Sequence, residues 1–266
     1  MKRLFTICLL LIFILSGCID ETETSLLDGP WAINSKGNIT LYTRPPGYSS
    51  MASPETSEIT QTLDNQIMFI ELVNQKLDVN FNSGVSIYFF NLDEAESKLG
   101  VKGGGSSNSE RKEIYYSFYL NQYYPSYQVY DYLGVHEMVH IVSGNTIGLP
   151  GTLMMAEGYA VAIDGTLSST DSSGKTRKTI DAWMVEFRAQ NKLLTPTQLL
   201  MDFESLPKEQ SYAQSGYFIN WLFSKYGVAK INQLFTSKGE NFKVDLHKVT
   251  GVPFAEMETE YMNNFK

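Results

Sequence analysis

Two histidines four residues apart enclose a glutamate in the run His136-Glu137-Met138-Val139-His140. On a helix, residues at that spacing share one face, so both imidazoles project the same way and can reach a single tetrahedral cation. Glu137 follows the first imidazole by about 100° of helix and can stand beside the ion without ligating it. A carboxylate so placed can take the proton of a water that zinc acidifies to near neutrality, then hand it to a leaving amine. The spacing therefore predicts metal-assisted hydrolysis. Of the three histidines in the chain, two fall in this pattern. Neutral imidazole as a ligand favours Zn2+ over Mg2+ or Ca2+.

A catalytic zinc takes three protein ligands and keeps one position open. Glu157, Asp164 and His247 compete for the third place. Around Glu157 the residues Leu153, Met154, Met155, Ala156 and Ala160 are all apolar, and a buried acid without a cation is costly. Asp164 lies seven residues further along roughly the same face, which suits it as an acceptor holding a ligand imidazole. His247 sits in the polar stretch Asp245-Leu246-His247-Lys248 and reads as a surface residue. As a fourth ligand it would instead close a purely structural site.

The elements that must position these residues can be read in outline. Ile39–Thr43 alternates apolar and polar residues and reads as a strand. Pro54, at the first helical position, opens a long helix whose apolar residues Ile59, Leu63, Ile67, Ile70 and Val73 recur at helical spacing to Leu77. Val85–Phe90 and Glu113–Leu120 read as strands, separated by a flexible turn at Gly103-Gly104-Gly105-Ser106-Ser107. Pro125 and Ser126 open the helix that carries the histidines to about Ser143, where Gly144-Asn145 stops it. Pro150-Gly151-Thr152 opens another over Leu153–Ile163. The sixteen residues between His140 and Glu157 let one helix end and the next return beside it. Further helices are expected at Ile180–Gln190, Pro196–Met201, Tyr212–Tyr226, Ala229–Phe235 and Phe254–Asn264. Strands before residue 121 and helices after it predict an α+β fold with a helical C-terminal lobe.

The His136–His140 run resembles the motif of the zincin metallopeptidases. The metzincin branch has Gly and His at the third and sixth positions after the motif, where this chain has Ser143 and Thr146. The gluzincin branch carries a glutamate ligand on a following helix, and Ala156-Glu157-Gly158-Tyr159-Ala160 is similar to that run. Ser211 to Leu222 is similar to the helix that follows the glutamate ligand in gluzincin aminopeptidases and begins with a catalytic tyrosine, here Tyr212. Val249–Tyr261 resembles a C-terminal segment of the same peptidases. The resemblance implies a zincin-like domain with an N-terminal β-sheet lobe, an active-site helix and a mostly helical C-terminal lobe. It implies His136, His140 and Glu157 around one Zn2+, Glu137 as general base and acid, and Tyr212 as a donor to the oxyanion of a peptide or protein substrate. It also implies that the strand bordering the cleft pairs with an extended peptide, and Glu113–Leu120 is nearest in sequence to the motif helix. Eight tyrosines between Tyr115 and Tyr132 are candidates to line subsites. A Gly-x-Met-Glu-Asn run is missing, so aminopeptidase specificity is not expected.

Lys2 and Arg3 precede an apolar stretch, Leu4 to Leu15, that is too short to span a bilayer and reads as a signal-peptide core. Leu15-Ser16-Gly17-Cys18 resembles the lipobox of bacterial lipoproteins, which implies cleavage after residue 17 and a diacylglycerol on Cys18. Residues 18–30 are then a polar tether. A single domain over 31–266 follows, with a sheet lobe at 31–145 and a helical lobe at 146–266. The chain is expected at the cell membrane, lipid-anchored, facing away from the cytoplasm, as a monomer. Losing Lys2 and Arg3 from 21 basic residues, against 29 acidic ones, changes the net charge from -8 to -10. No basic cluster is left to bind nucleic acid. An alternative from a different class is a cell-surface binding or assembly lipoprotein that keeps the fold without hydrolysis.

Overall fold

Alternating burial along the N-terminal strands shows how the sheet is built. In β2 (Ile39–Thr43) Ile39, Leu41 and Thr43 are buried, while Thr40 and Tyr42 on the opposite face are less so. The computed structural model describes residues 27–48, 54–91, 94, 97, 104–118, 134–171 and 174–265. Besides β2, its sheet contains β1 (Ala32–Lys36), β3 (Val85–Asn91), β4 (Gly104–Asn108) and β5 (Glu113–Phe118). The order is β1-β2-β3-β5-β4. β2, β3 and β5 run parallel, and β1 and β4 pair antiparallel at the two edges.

The helices follow as α1 (Thr56–Leu77), α2 (His136–Thr146), α3 (Leu153–Asp164), α4 (Ile180–Ala189), α5 (Pro196–Met201), α6 (Lys208–Tyr226), α7 (Val228–Asn232), α8 (Gly239–Thr250) and α9 (Phe254–Asn263). Between α3 and α4 lies an antiparallel hairpin, β6 (Thr166–Asp171) and β7 (Gly174–Thr179). The architecture is α+β. One apolar core runs from Ile39, Leu41, Ile87 and Ile114 of the sheet, through Val73 and Leu77 of α1 and Met138 and Ile141 of α2, to Phe218, Phe242 and Tyr261 of the C-terminal helices.

Several sequence expectations are corrected. The Gly104–Asn108 stretch is not a flexible turn but the edge strand β4, because its backbone pairs residue by residue with β5 despite low strand propensity. β1 is a further strand, whose Ile33 is exposed. Pro54 precedes the cap of α1 rather than opening its first turn: Glu55 is the cap, and its N–H donates to Glu58 at 2.8 Å. Helix α2 starts at His136, since Gly134 is non-helical and passes the end of α3 where a Cβ would stand 2.7 Å from Asp164. Gly144 lies inside α2, which ends two residues later at Thr146. The β6–β7 hairpin arises where no element was expected, because its polar strands lack an apolar run, and α8 is a further helix whose Phe242, Leu246 and Val249 recur at helical spacing. α6 begins at Lys208, four residues before Tyr212. The signal, Cys18, most of the tether, the expected helix segment from Pro125 to residue 133 and the end of the Glu113–Leu120 strand lie outside the described residues.

α3 is gripped from both sides. It packs on α2 and, along most of its length, on α6. The helix axes approach closely because Gly216 of α6 has no side chain: a Cβ there would stand 2.4 Å from Val161 Cγ1. Replacing Gly216→Ala should therefore force α3 and α6 apart and lower stability by about 1–3 kcal/mol. In urea unfolding this appears as a lower midpoint with an unchanged slope.

Candidate metal centre

α2 and α3 bring three side chains to one point. The first turn of α2 supplies His136 and, one turn on, His140; the hydroxyl of Thr152 caps α3 by accepting from Met155 N–H at 3.1 Å and sets Glu157 in its second turn. His136 Nε2 lies 3.1 Å from Glu157 Oε2, His140 Nε2 lies 3.3 Å from His136 Nε2, and His140 Nε2 lies 3.7 Å from the same carboxylate oxygen. A tetrahedral zinc with ligand bonds of about 2.0–2.1 Å holds its ligand atoms roughly 3.3–3.4 Å apart. The three atoms thus already outline one face of such a tetrahedron, and the donor set of two imidazoles and a carboxylate suits the ion. No fourth His, Cys, Asp or Glu joins the group among the described residues. His247 is exposed on α8 and takes no part. Side-chain exposures of 24% for His136, 18% for His140 and 16% for Glu157 leave the group mostly buried but not sealed from solvent.

The charges in the site favour a cation. Burial disfavours a charged His136, but the bond to Glu157 and the nearby carboxylates of Glu137 and Asp164 outweigh it and raise its pKa above the usual value. Burial also works against a charged Glu157, yet hydrogen bonds from His136 and His140 hold its carboxyl well below the usual range. Asp164 ends α3 and turns to the hairpin, where Oδ1 accepts from Arg177 Nη2 at 2.8 Å and from the Thr166 hydroxyl. It therefore acts on His136 through space and does not accept a hydrogen bond from a ligand imidazole, contrary to the sequence expectation. The bend of the chain at Gly165 into β6 is the reason.

Tyr212, in the second turn of α6, lies beside the three donors. Its ring is nearly parallel to that of His136, with centroids 6.5 Å apart, and it rests against Phe203 at 5.5 Å. Burial first, and then the Glu157 carboxylate, push its phenol well above the usual range, so the hydroxyl stays a proton donor at neutral pH. Glu137 lies against the sheet at the edge of the group, close enough for its charge to act on His136 and Tyr212. Its Oε2 accepts from Ser107 Oγ at 2.9 Å, and its side chain lies over Gly105.

The strand beside the motif helix is β4, not Glu113–Phe118. β5 is nearer in sequence but internal, with β3 and β4 on its two sides. Of the eight tyrosines, Tyr115 and Tyr116 are buried in the sheet, and the other six lie outside the described residues. Ser107 and Arg177 were missed by sequence reasoning. The only signal for Ser107 was its two-residue offset from Gly105, which places both on one face of β4 once a strand is assumed.

No protein-family model matches the chain, and no curated protein matches it. The chemistry of the site is accordingly read from its own geometry.

The pair His136–Glu157 gives the metal-free protein a defined pH response. The raised His136 contributes stability that is full below about pH 6.5 and lost as pH rises through its folded pKa. The depressed Glu157 contributes stability present above about pH 4.3 and lost as pH falls through its folded pKa. Metal-free wild type should thus exceed Glu157→Gln in melting temperature by more at pH 6 than at pH 8, as measured by calorimetry after chelation.

Proposed function

We propose that the chain is a zinc-dependent metallopeptidase of the gluzincin type, with a zincin-like fold and a peptide or protein substrate. The observation that carries this reading is the convergence of His136, His140 and Glu157 to tetrahedral ligand spacing with Glu137 and Tyr212 at its border. His136, His140 and Glu157 hold the ion. When bound, zinc supplies Lewis acidity toward a carbonyl and brings the pKa of a water near 7. Glu137 takes a proton from the water that attacks the amide carbon and returns it to the amine nitrogen as the C–N bond breaks, so the acid and base are one residue used twice. Tyr212 donates its hydroxyl proton in a hydrogen bond to the oxygen that gains charge on the tetrahedral carbon, and its raised pKa keeps that proton in place.

Glu137→Gln should retain one zinc per chain by metal analysis and lose about 10²–10⁴-fold in peptide cleavage, with the loss in kcat. Tyr212→Phe should retain zinc and lose about 10²–10³-fold in kcat with little change in KM. A Glu137→Gln protein that cleaves a peptide library as well as wild type overturns the reading.

The chain is proposed to act at the outer side of the cell membrane, held by lipid on Cys18. No helix among the described residues is long and apolar enough to cross a membrane. Cys18→Ala should move the protein from the membrane pellet to the soluble fraction on cell fractionation.

A further inference from the structure

Three hydrogen bonds stitch β4 and the turn after it to α2. Ser109 Oγ donates to the His140 carbonyl at 2.9 Å, and Asn145 Nδ2 donates to the Ser109 carbonyl at 2.8 Å. These two engage backbone groups and hold the strand to the helix whatever side chain stands at position 107. The third, from Ser107 Oγ to Glu137 Oε2 at 2.9 Å, grips the carboxylate itself.

Strand side chains alternate, so Gly105 and Ser107 face α2 together. At Gly105 a Cβ would stand 2.7 Å from Glu137 Cγ and 2.8 Å from Oε1. The carboxylate is laid against the strand, one oxygen over the glycine and the other held by the serine. Left to itself, the terminal torsion of a glutamate is broad and two-fold. A general base, in contrast, must present its acceptor within about 2.6–3.2 Å of the proton it takes.

We propose that Ser107 is a positioning residue for Glu137: by donating to Oε2 it stops the carboxylate rotating and leaves Oε1 to take and return the proton. The Ser107 hydroxyl bonds to Glu137 and to none of the three metal-ligand candidates, so its effect passes through Glu137. This inference rests on the peptidase reading above. The hydroxyl, not the strand, is the active element, so a threonine should serve in its place, being well suited to a strand.

The test compares wild type, Ser107→Ala, Ser107→Thr and Glu137→Gln, each with one equivalent of zinc, on a peptide that wild type cleaves. Loss of one hydrogen bond to a charged group should lower kcat for Ser107→Ala by about 10- to 30-fold. KM should stay within about two-fold and zinc stoichiometry should match wild type, because the two backbone stitches remain. Ser107→Thr should recover most of the lost kcat. The proposal is overturned if Ser107→Ala keeps wild-type kcat, if its loss lies in KM or zinc content, or if threonine does no better than alanine. Those outcomes leave the peptidase reading standing as long as wild type cleaves and Glu137→Gln does not. A wild type that cleaves nothing removes that reading and this role with it.

Discussion

Two imidazoles and a carboxylate carried by separate helices must stand within about the edge length of one coordination tetrahedron, and most of the structure around them serves that demand. The spacing of His136 and His140 is settled by the pitch of α2 alone. Glu157 is different, because its position depends on how α3 lies against α2. The close contact of α3 with α6, made at Gly216, fixes it from the far side. The same contact brings Tyr212 of α6 beside the three side chains, so one packing interface sets both Glu157 and the tyrosine next to it.

The electrostatics follow from this placement. Glu137, Glu157 and Asp164 gather about two imidazoles that are neutral when they ligate, and Arg177 compensates part of that charge through Asp164. A partly buried cluster with excess negative charge is a favourable place for a divalent cation and an unfavourable one for an anion. In the metal-free protein His136 pairs with Glu157 at 3.1 Å, which keeps the three side chains gathered at a spacing that could hold a metal ion.

The sheet contributes through its edge. β4 is made of glycine, serine and asparagine, with no large side chain to fill the space beside α2. That poverty of side chains lets the Glu137 carboxylate rest on the strand, where a Cβ at Gly105 would stand 2.7 Å from its Cγ.

The α+β class, the long helix α1, the strands β2, β3 and β5 and the ligand spacing on α2 were legible in the residues, since each depends on a local period or a short-range motif. Glu157 was legible too, because an acid among Leu153, Met154, Met155 and Ala160 calls for a partner. The strand nature of Gly104–Asn108 was not, nor was the β6–β7 hairpin: neither carries an apolar pattern, and each becomes a strand only by pairing with a neighbour. Asp164 was read by helical phase as an imidazole acceptor, whereas the turn at Gly165 and Arg177 on β7 claim its carboxylate. The sequence by itself determined which residues could ligate a metal, because that follows from chemistry and helix pitch. Only the tertiary structure decided what holds the carboxylates of Glu137 and Asp164, because those partners lie 30 and 13 residues away and meet by sheet register and helix packing rather than by any local rule.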